Sequence, residues 1–231
     1  MAKPTTFYVD PTFAGSPDNS SVTFNVNYPQ TVGGLVYASS FAYWNTHQAT
    51  VNAFSDLGVA LQVSEANPGG DTIRISHGQI PLQNPNVVGD INSVNVTQDL
   101  TLIGSGQGAT ILRPTNDTTF DSLPDEFTSV FRVTAGNFKA QDLRFEGGGK
   151  QIGSAFVIRS GATGTFDSVA VSGAIFTPTG ASSGASIVGF NAVKLDVRNS
   201  DISNYGRNGV LFINTPGSVV GTNITGRGAG N

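Results

Sequence analysis

The strongest cluster of polar side chains lies in the segment KAQDLRFEGGGK, where Asp142, Arg144 and Glu146 alternate with two apolar residues. In a β-strand this alternation places the three charged side chains on one outer face. Carboxylates in such a row can bind Ca²⁺, and a cationic side chain beside them can take part in proton transfer. We therefore treat Asp142, Arg144 and Glu146 as candidate catalytic residues and Lys150 as a candidate ligand contact. The alternative, which we favour, is an exposed ion pair on a strand.

A second charged row, Lys194, Asp196 and Arg198, has the same two-residue spacing. The intervening Leu195 and Val197 predict a strand with the three charged side chains on its outer side. Solvated salt bridges are the favoured interpretation. In the alternative interpretation, Lys194 and Arg198 contact an acidic sugar.

Aromatic residues form the third candidate site, since Tyr37, Tyr43 and Trp44 lie close together before residue 50. Aromatic rings can stack on the apolar faces of pyranose rings, which makes Tyr43 and Trp44 candidate ligand contacts. Packing inside an aromatic insertion is the favoured alternative.

Composition narrows the classes of function. The chain has 12 Lys and Arg side chains in 231 residues, without a basic run, which argues against nucleic-acid binding. Residues 131–231 hold nine basic and five acidic side chains, so this half could suit an acidic glycan. There is no cysteine, hence no disulfide or thiolate metal site. No stretch of ~18 apolar residues and no Sec signal occur, so we expect no membrane span.

No segment of the sequence fits a metal or cofactor motif in full. Residues 104–109, GSGQGA, resemble a dinucleotide fingerprint, but the following residues predict a strand, so the glycines favour a corner between two faces. His47 and His77 have no recognisable nucleophile or carboxylate partner. The acidic loop at residues 114–126 lacks the order of an EF-hand. We predict no metal site and no cofactor, with Ca²⁺ as the one alternative.

The elements that position these side chains begin with residues 54–70, which predict a short capping helix and a turn. Four residues share the apolar face of this helix: Leu57, Ala60, Leu61 and Ser64. Ser55 is the predicted N-cap, and Asn67 and Pro68 end the helix. Residues 1–53 predict an N-terminal strand and the aromatic insertion.

A short alternating pattern then recurs along residues 71–231. Its apolar anchors predict one inward column: Ile73, Leu100, Leu143, Val169, Ile202 and Ile224. They are separated by 27, 43, 26, 33 and 22 residues. Alternation predicts strands, and the longer spacing predicts stacked coils. We therefore predict an all-β fold, a right-handed parallel β-helix (solenoid) with a short N-terminal capping helix, as a single domain over residues 1–231, with long loops at 114–126 and 175–185.

A family resemblance covers residues 54–231. The run from Phe54 through ANPGGDTIRISHG to NVTQDLTLIGSGQGATILRP resembles the cap and first coils of pectin-lyase-like β-helix proteins, and ISNYGRNGVLFINTPGSVVGTNITGRG is similar to their later coils. That superfamily includes polysaccharide lyases, epimerases, tailspikes and adhesins, so the resemblance implies architecture more than chemistry. For a lyase it implies that Asp142 and Glu146 hold Ca²⁺ against a uronate and that Arg144 abstracts the proton.

Three functions follow as hypotheses. The first is an extracellular or cell-surface module that interacts with a polysaccharide or has a structural role. The second is a polysaccharide lyase or epimerase acting on an anionic glycan. The third is a self-assembling, fibre- or adhesin-like protein, because residues 223–231 predict a last coil with nothing to cover it. For that coil we expect either a longer protein or self-association.

Overall fold

The computed structural model describes residues 5–10, 20–23, 30–32, 35–37, 50–54, 56–67, 69–82, 93–118, 128–177 and 184–227. Within them the chain forms one helix, α1 (Leu57–Ala66), and twenty strands. The strands are β1 (Thr6–Val9), β2 (Ser20–Thr23), β3 (Gln30–Val32), β4 (Leu35–Tyr37), β5 (Thr50–Phe54), β6 (Asp71–Ile75), β7 (Gly78–Leu82), β8 (Val94–Val96), β9 (Leu100–Ile103), β10 (Thr110–Pro114), β11 (Phe131–Val133), β12 (Gly136–Glu146), β13 (Ser154–Ile158), β14 (Ala162–Ser172), β15 (Ala185–Phe190), β16 (Lys194–Arg198), β17 (Asp201–Ser203), β18 (Asn208–Ile213), β19 (Gly217–Val220) and β20 (Asn223–Thr225). All strand pairs except β2–β5 and β3–β4 are parallel.

The N-cap residue Asp56 determines where helix α1 begins. The Asp56 carboxylate accepts hydrogen bonds from the backbone N–H groups of Gly58 (2.6 Å) and Val59 (3.2 Å), and so satisfies donors that the first turn leaves unpaired. The cap therefore lies one residue after the predicted Ser55, which is outside the described residues. The predicted apolar face is confirmed, because these helix residues are buried: Leu57, Gly58, Ala60, Leu61 and Ser64.

A buried carboxylate joins the helix to the strands around it. Asp71, only 3% exposed, accepts hydrogen bonds from the Thr5 backbone N–H and the Asn67 side-chain amide, both at 2.9 Å. Asn67 ends the helix, and Asp71 begins β6. The predicted opening strand is confirmed as β1, which pairs with β6 in parallel.

From β6 onward the strands repeat as stacked layers. We call each layer a rung: rung 1 is β6, β7 and β8; rung 2 is β9, β10 and β11; rung 3 is β12 and β13; rung 4 is β14 and β15; rung 5 is β16, β17 and β18; and rung 6 is β19 and β20. Successive rungs pair in parallel along three faces. Face A contains β6, β9, the first parts of β12 and β14, β16 and β19. Face B contains β7, β10, the second parts of β12 and β14, β17 and β20. Face C contains β8, β11, β13, β15 and β18. The chain is therefore mostly parallel strands in stacked sheets, as a solenoid requires.

The inward side chains form columns on three faces instead of the one column predicted. Ile73 lies on face A, where it pairs with Leu102. Ile202 lies on face B and pairs with Val171, two residues beyond its predicted partner. The single column was wrong because each rung supplies similar apolar anchors to different faces. Of the six predicted residues, only Ile224 is exposed, at 41%.

Phenylalanine rings fill the centre of the stack. The Phe156 ring centroid lies 5.0 Å from those of Phe131 and Phe166, 5.8 Å from that of Phe145 and 6.0 Å from that of Phe138. All five side chains are buried. They come from rungs 2, 3 and 4, so aromatic packing joins consecutive rungs as well as the faces within a rung.

The corner between faces A and B has left-handed backbone geometry. Asp142, Ser168 and Asn199 follow one another there in rungs 3, 4 and 5, with φ values of 53°, 55° and 49°. Asp and Asn adopt this conformation more readily than most residues. In rung 2 the same corner is made by residues 104–109, between β9 and β10, which confirms the predicted corner and leaves no helix for a nucleotide phosphate.

Candidate functional site

The first predicted cluster is divided by this corner. Asp142 occupies the corner itself, so the alternation that would align it with Arg144 is interrupted. Arg144 lies on face B beside Ile111 and Ala170, and its Nε donates to the Gln107 carbonyl oxygen at 3.0 Å. The prediction of one row was therefore wrong for Asp142. The structure leaves Arg144 and Glu146 on a common face.

Glu146 has a partner that was not predicted from the sequence. Its Oε2 atom accepts hydrogen bonds from Arg113 Nε at 2.9 Å and Arg113 Nη2 at 2.5 Å. The Nη1 atom of Arg113 donates to Gln79 Oε1 at 3.1 Å. Arg113 is in β10 and Glu146 in β12, so the pair joins rungs 2 and 3. Both side chains stay partly exposed, at 40% and 31%.

A groove of about 450 Å³ lies beside this pair. Its polar lining includes Arg113, Glu146, Lys150, Gln151, Ser172 and Asn204. Glu146 and Ser172 are neighbours in register across rungs 3 and 4, and Asn204 follows β17 in rung 5. With ~4.8 Å between rungs, the groove runs about 14 Å along the stack from rung 2 to rung 5. It lies where face B ends.

Several polar groups in the groove are available to a ligand. Among the described residues, the Lys150 ammonium group, the Ser172 hydroxyl and the Asn204 amide make no side-chain hydrogen bond or ion pair. The Gln151 Oε1 atom accepts from the backbone N–H and hydroxyl of Thr177, at 2.9 and 3.0 Å, so its carbonyl is occupied. The described lining residues therefore offer the Lys150 ammonium group, the Ser172 hydroxyl, the Asn204 amide and the Gln151 Nε2 group to a ligand.

Two glycines precede Lys150 in the turn beside the groove. Gly148 and Gly149 have φ values of 61° and 81°, a backbone conformation that residues with a Cβ atom rarely adopt. A Cβ on Gly149 would meet no atom within 4 Å. The backbone conformation, and not lack of space, requires glycine there, and the turn places Lys150 at the edge of the groove.

The second predicted cluster is a salt-bridge network on face A, as favoured from the sequence, but it is not fully solvated, because Asp196 is only 4% exposed. Asp196 Oδ2 lies 2.7 Å from Lys194 Nζ and 3.2 Å from Arg198 Nη2, and its Oδ1 accepts from the Ser218 hydroxyl at 2.8 Å. The hydrogen bond from Lys194 lowers the pKa of Asp196, with contributions from Ser218 and Arg198, while burial acts in the opposite direction. Lys194 and Arg198 are thus engaged with a carboxylate.

The remaining candidates from the sequence are two aromatic residues and two histidines. Tyr43, Trp44 and His47 lie outside the described residues. His77 follows β6, and its burial lowers its pKa, an effect partly offset by the charge of Asp10. Among the described residues there is no group of three or more metal-ligating side chains, and no helix is long and apolar enough to span a membrane.

Three groove residues were not predicted from the sequence, and they belong to three different rungs: Arg113, Ser172 and Asn204. Arg113 follows the inward residue Leu112, and Glu146 follows the inward residue Phe145. Leu112 and Phe145 pair across rungs 2 and 3. An alignment of ILR (residues 111–113) with RFE (residues 144–146), which matches Leu112 to Phe145, would have placed the two charges side by side.

Comparison with known proteins gave no family: no protein-family model, curated protein or solved structure matches this chain significantly. The fold and site define a class only, a mostly parallel, solenoid-like β-protein with a polar groove along its stack. The resemblance to pectin-lyase-like proteins rests on the sequence motifs.

Proposed function

We propose that this chain is a right-handed parallel β-helix that works outside the cell, or at its surface, by binding an acidic polysaccharide in the groove beside Arg113 and Glu146. The observation that carries the proposal is the free Lys150 ammonium group in a polar groove that crosses four rungs. An ammonium group can pair with a sugar carboxylate, while Ser172 and Asn204 can bond to ring hydroxyls.

The character of the groove argues against other ligand classes. Pockets for apolar small molecules are lined mainly by hydrophobic and aromatic side chains, whereas Ile175 is the main apolar side chain here. A nucleic-acid backbone would need several free cations in a row. Among the described lining residues only Lys150 is a cation without an anionic partner. A hydroxyl-rich ligand with separated negative charges fits best.

The experiment is calorimetric titration with uronic-acid oligosaccharides and neutral oligosaccharides of matched length. Lys150→Ala should weaken uronate binding about ten- to a hundredfold, because a charge-assisted hydrogen bond contributes roughly 1.5–3 kcal/mol. Lys194→Ala, on face A, is the matched control and should change affinity less than about twofold. Equal losses in both variants, or no uronate binding, would contradict the proposal. A rise in unsaturated-uronate absorbance that Arg144→Ala abolishes would favour the lyase hypothesis instead.

Self-association is a second candidate function, supported by apolar exposure at rung 6. Val219 and Ile224 continue the inward columns of faces A and B, yet they are 39% and 41% exposed. Among the described residues no strand pairs with the far sides of β19 and β20. Such an edge can pair with a second copy. Light scattering over a concentration series tests this, and a strictly monomeric species at high concentration would contradict it.

A further inference from the structure

Each nitrogen of the Arg113 guanidinium donates one hydrogen bond within the protein, and the side chain is 40% exposed. Nε and Nη2 both donate to Glu146 Oε2, and Nη1 donates to Gln79 Oε1. Arginine commonly binds carboxylates and sulfates through two parallel N–H groups of this fork. Here that edge of the fork faces Glu146, so a ligand anion would have to displace the carboxylate to reach it.

Three charged side chains line the groove among the described residues: Arg113, Glu146 and Lys150. The first two neutralise each other, and Lys150 remains as the free positive charge. Glu146 also keeps Oε1, which accepts no hydrogen bond from the described residues. A ligand in the groove therefore meets one uncompensated ammonium group and the Oε1 atom of Glu146, which can accept a hydrogen bond from a sugar hydroxyl.

We propose that Glu146 determines the charge selectivity of the groove: by occupying Arg113 it restricts binding to glycans with isolated carboxylates, such as uronates, and disfavours densely sulfated chains. This inference rests on the proposed function and adds the ligand class to it. A polymer with one carboxylate per sugar satisfies Lys150 and presents hydroxyls to Ser172 and Glu146. A sulfated chain would bring further anions toward Glu146 without a second free cation.

The test compares two probes, a uronate oligosaccharide and a sulfated oligosaccharide of equal length, by calorimetric titration of the wild type and Glu146→Gln. Glu146→Gln leaves the positive charge of Arg113 uncompensated, so the affinity ratio of sulfated to uronate ligand should rise about tenfold, a moderate Coulomb effect in a half-solvated site. Asp201→Asn makes the same change in net charge on face B. Its carboxylate has no partner among the described residues, and the ratio should change less than about threefold.

A double variant separates charge from shape. Arg113→Gln with Glu146→Gln removes both charges and leaves Lys150 as the free cation, so the ligand ratio should return to the wild-type value. Both variants should fold, because a partly exposed ion pair contributes only ~0–1 kcal/mol. An unchanged ligand ratio in Glu146→Gln, or a ratio that stays raised in the double variant, would overturn the inference. Uronate binding by the wild type would still support the proposed function in either case. Sulfate binding gained by Glu146→Gln alone would support the inference even if the wild type bound no glycan, and absence of binding in every protein would overturn both.

Discussion

Replacing Phe156 with alanine tests whether the stacked rungs share one aromatic core. Phe156 is in β13, its side chain is fully buried, and its ring contacts rings from rungs 2, 3 and 4. Removing it leaves a cavity that the surrounding parallel sheets cannot easily close, because each sheet is fixed by hydrogen bonds to the rungs on either side.

The expected cost follows from burial and ring contacts. A buried Phe→Ala change costs about 3–5 kcal/mol, and four ring neighbours within 6.0 Å place Phe156 toward the upper end, at about 4–5 kcal/mol. For a chain of 231 residues, each 1 kcal/mol lowers Tm by roughly 2–4 °C. Tm should therefore fall by about 8–20 °C.

Denaturant unfolding followed by far-UV circular dichroism gives the free energy, and scanning calorimetry gives Tm. Phe212→Ala is the matched control, since Phe212 points inward on the same face but lies in rung 5 and is only partly buried. It should cost about 1–2 kcal/mol. If the two variants lose the same stability within about 1 kcal/mol, the central aromatic core is not the stabilising feature described here.

Three further predictions concern register and charge. Leu143→Asp buries a carboxyl group among the inward side chains of face B and should cost more than about 4 kcal/mol. Ile111→Asp, on the outer side of face B, should cost less than about 1 kcal/mol. Similar melting temperatures for the two variants would contradict the register. Because the pKa of Asp196 is lowered, its contribution to stability is present above the ordinary carboxyl pKa of 3.8 and is lost as the pH falls through the folded-state pKa. Asp196→Asn should therefore flatten this part of the curve of Tm against pH, and an unchanged curve would contradict the network. Asp71→Ala removes the carboxylate that accepts hydrogen bonds from two groups, the Thr5 N–H and the Asn67 amide, and should cost about 2–4 kcal/mol in denaturant unfolding. A loss below about 1 kcal/mol would show that this link is dispensable.

The fold could be predicted largely because local patterns and global packing agree. Alternation identified strands such as β6 and β12, and helical spacing identified α1. The pattern failed at Asp142, because a left-handed corner residue interrupts the two-residue period without any break in the sequence. It also missed β7, where Pro81 argues against a strand, although the structure pairs Pro81 with Arg113.

The candidate site was less predictable, because its residues come from different rungs. Lys150 and Glu146 were selected for their position in one charged segment, and the structure places both in the groove. Arg113 lies 33 residues from Glu146 in sequence, and their ion pair exists only when rungs 2 and 3 stack in register. The network around Asp196 was easier to predict, since Lys194 and Arg198 belong to the same strand.

The most direct test of the central claim, that an acidic glycan lies in the groove along the stack, is nuclear magnetic resonance with a uronate oligosaccharide. The backbone amide signals of Gly148, Gly173 and Asn204 should shift together on titration, since these residues line the groove in rungs 3, 4 and 5. The signals of Thr163 and Lys194 on face A should remain unchanged. Shifts centred on face A would contradict this claim, and so would the absence of any localised set of shifts.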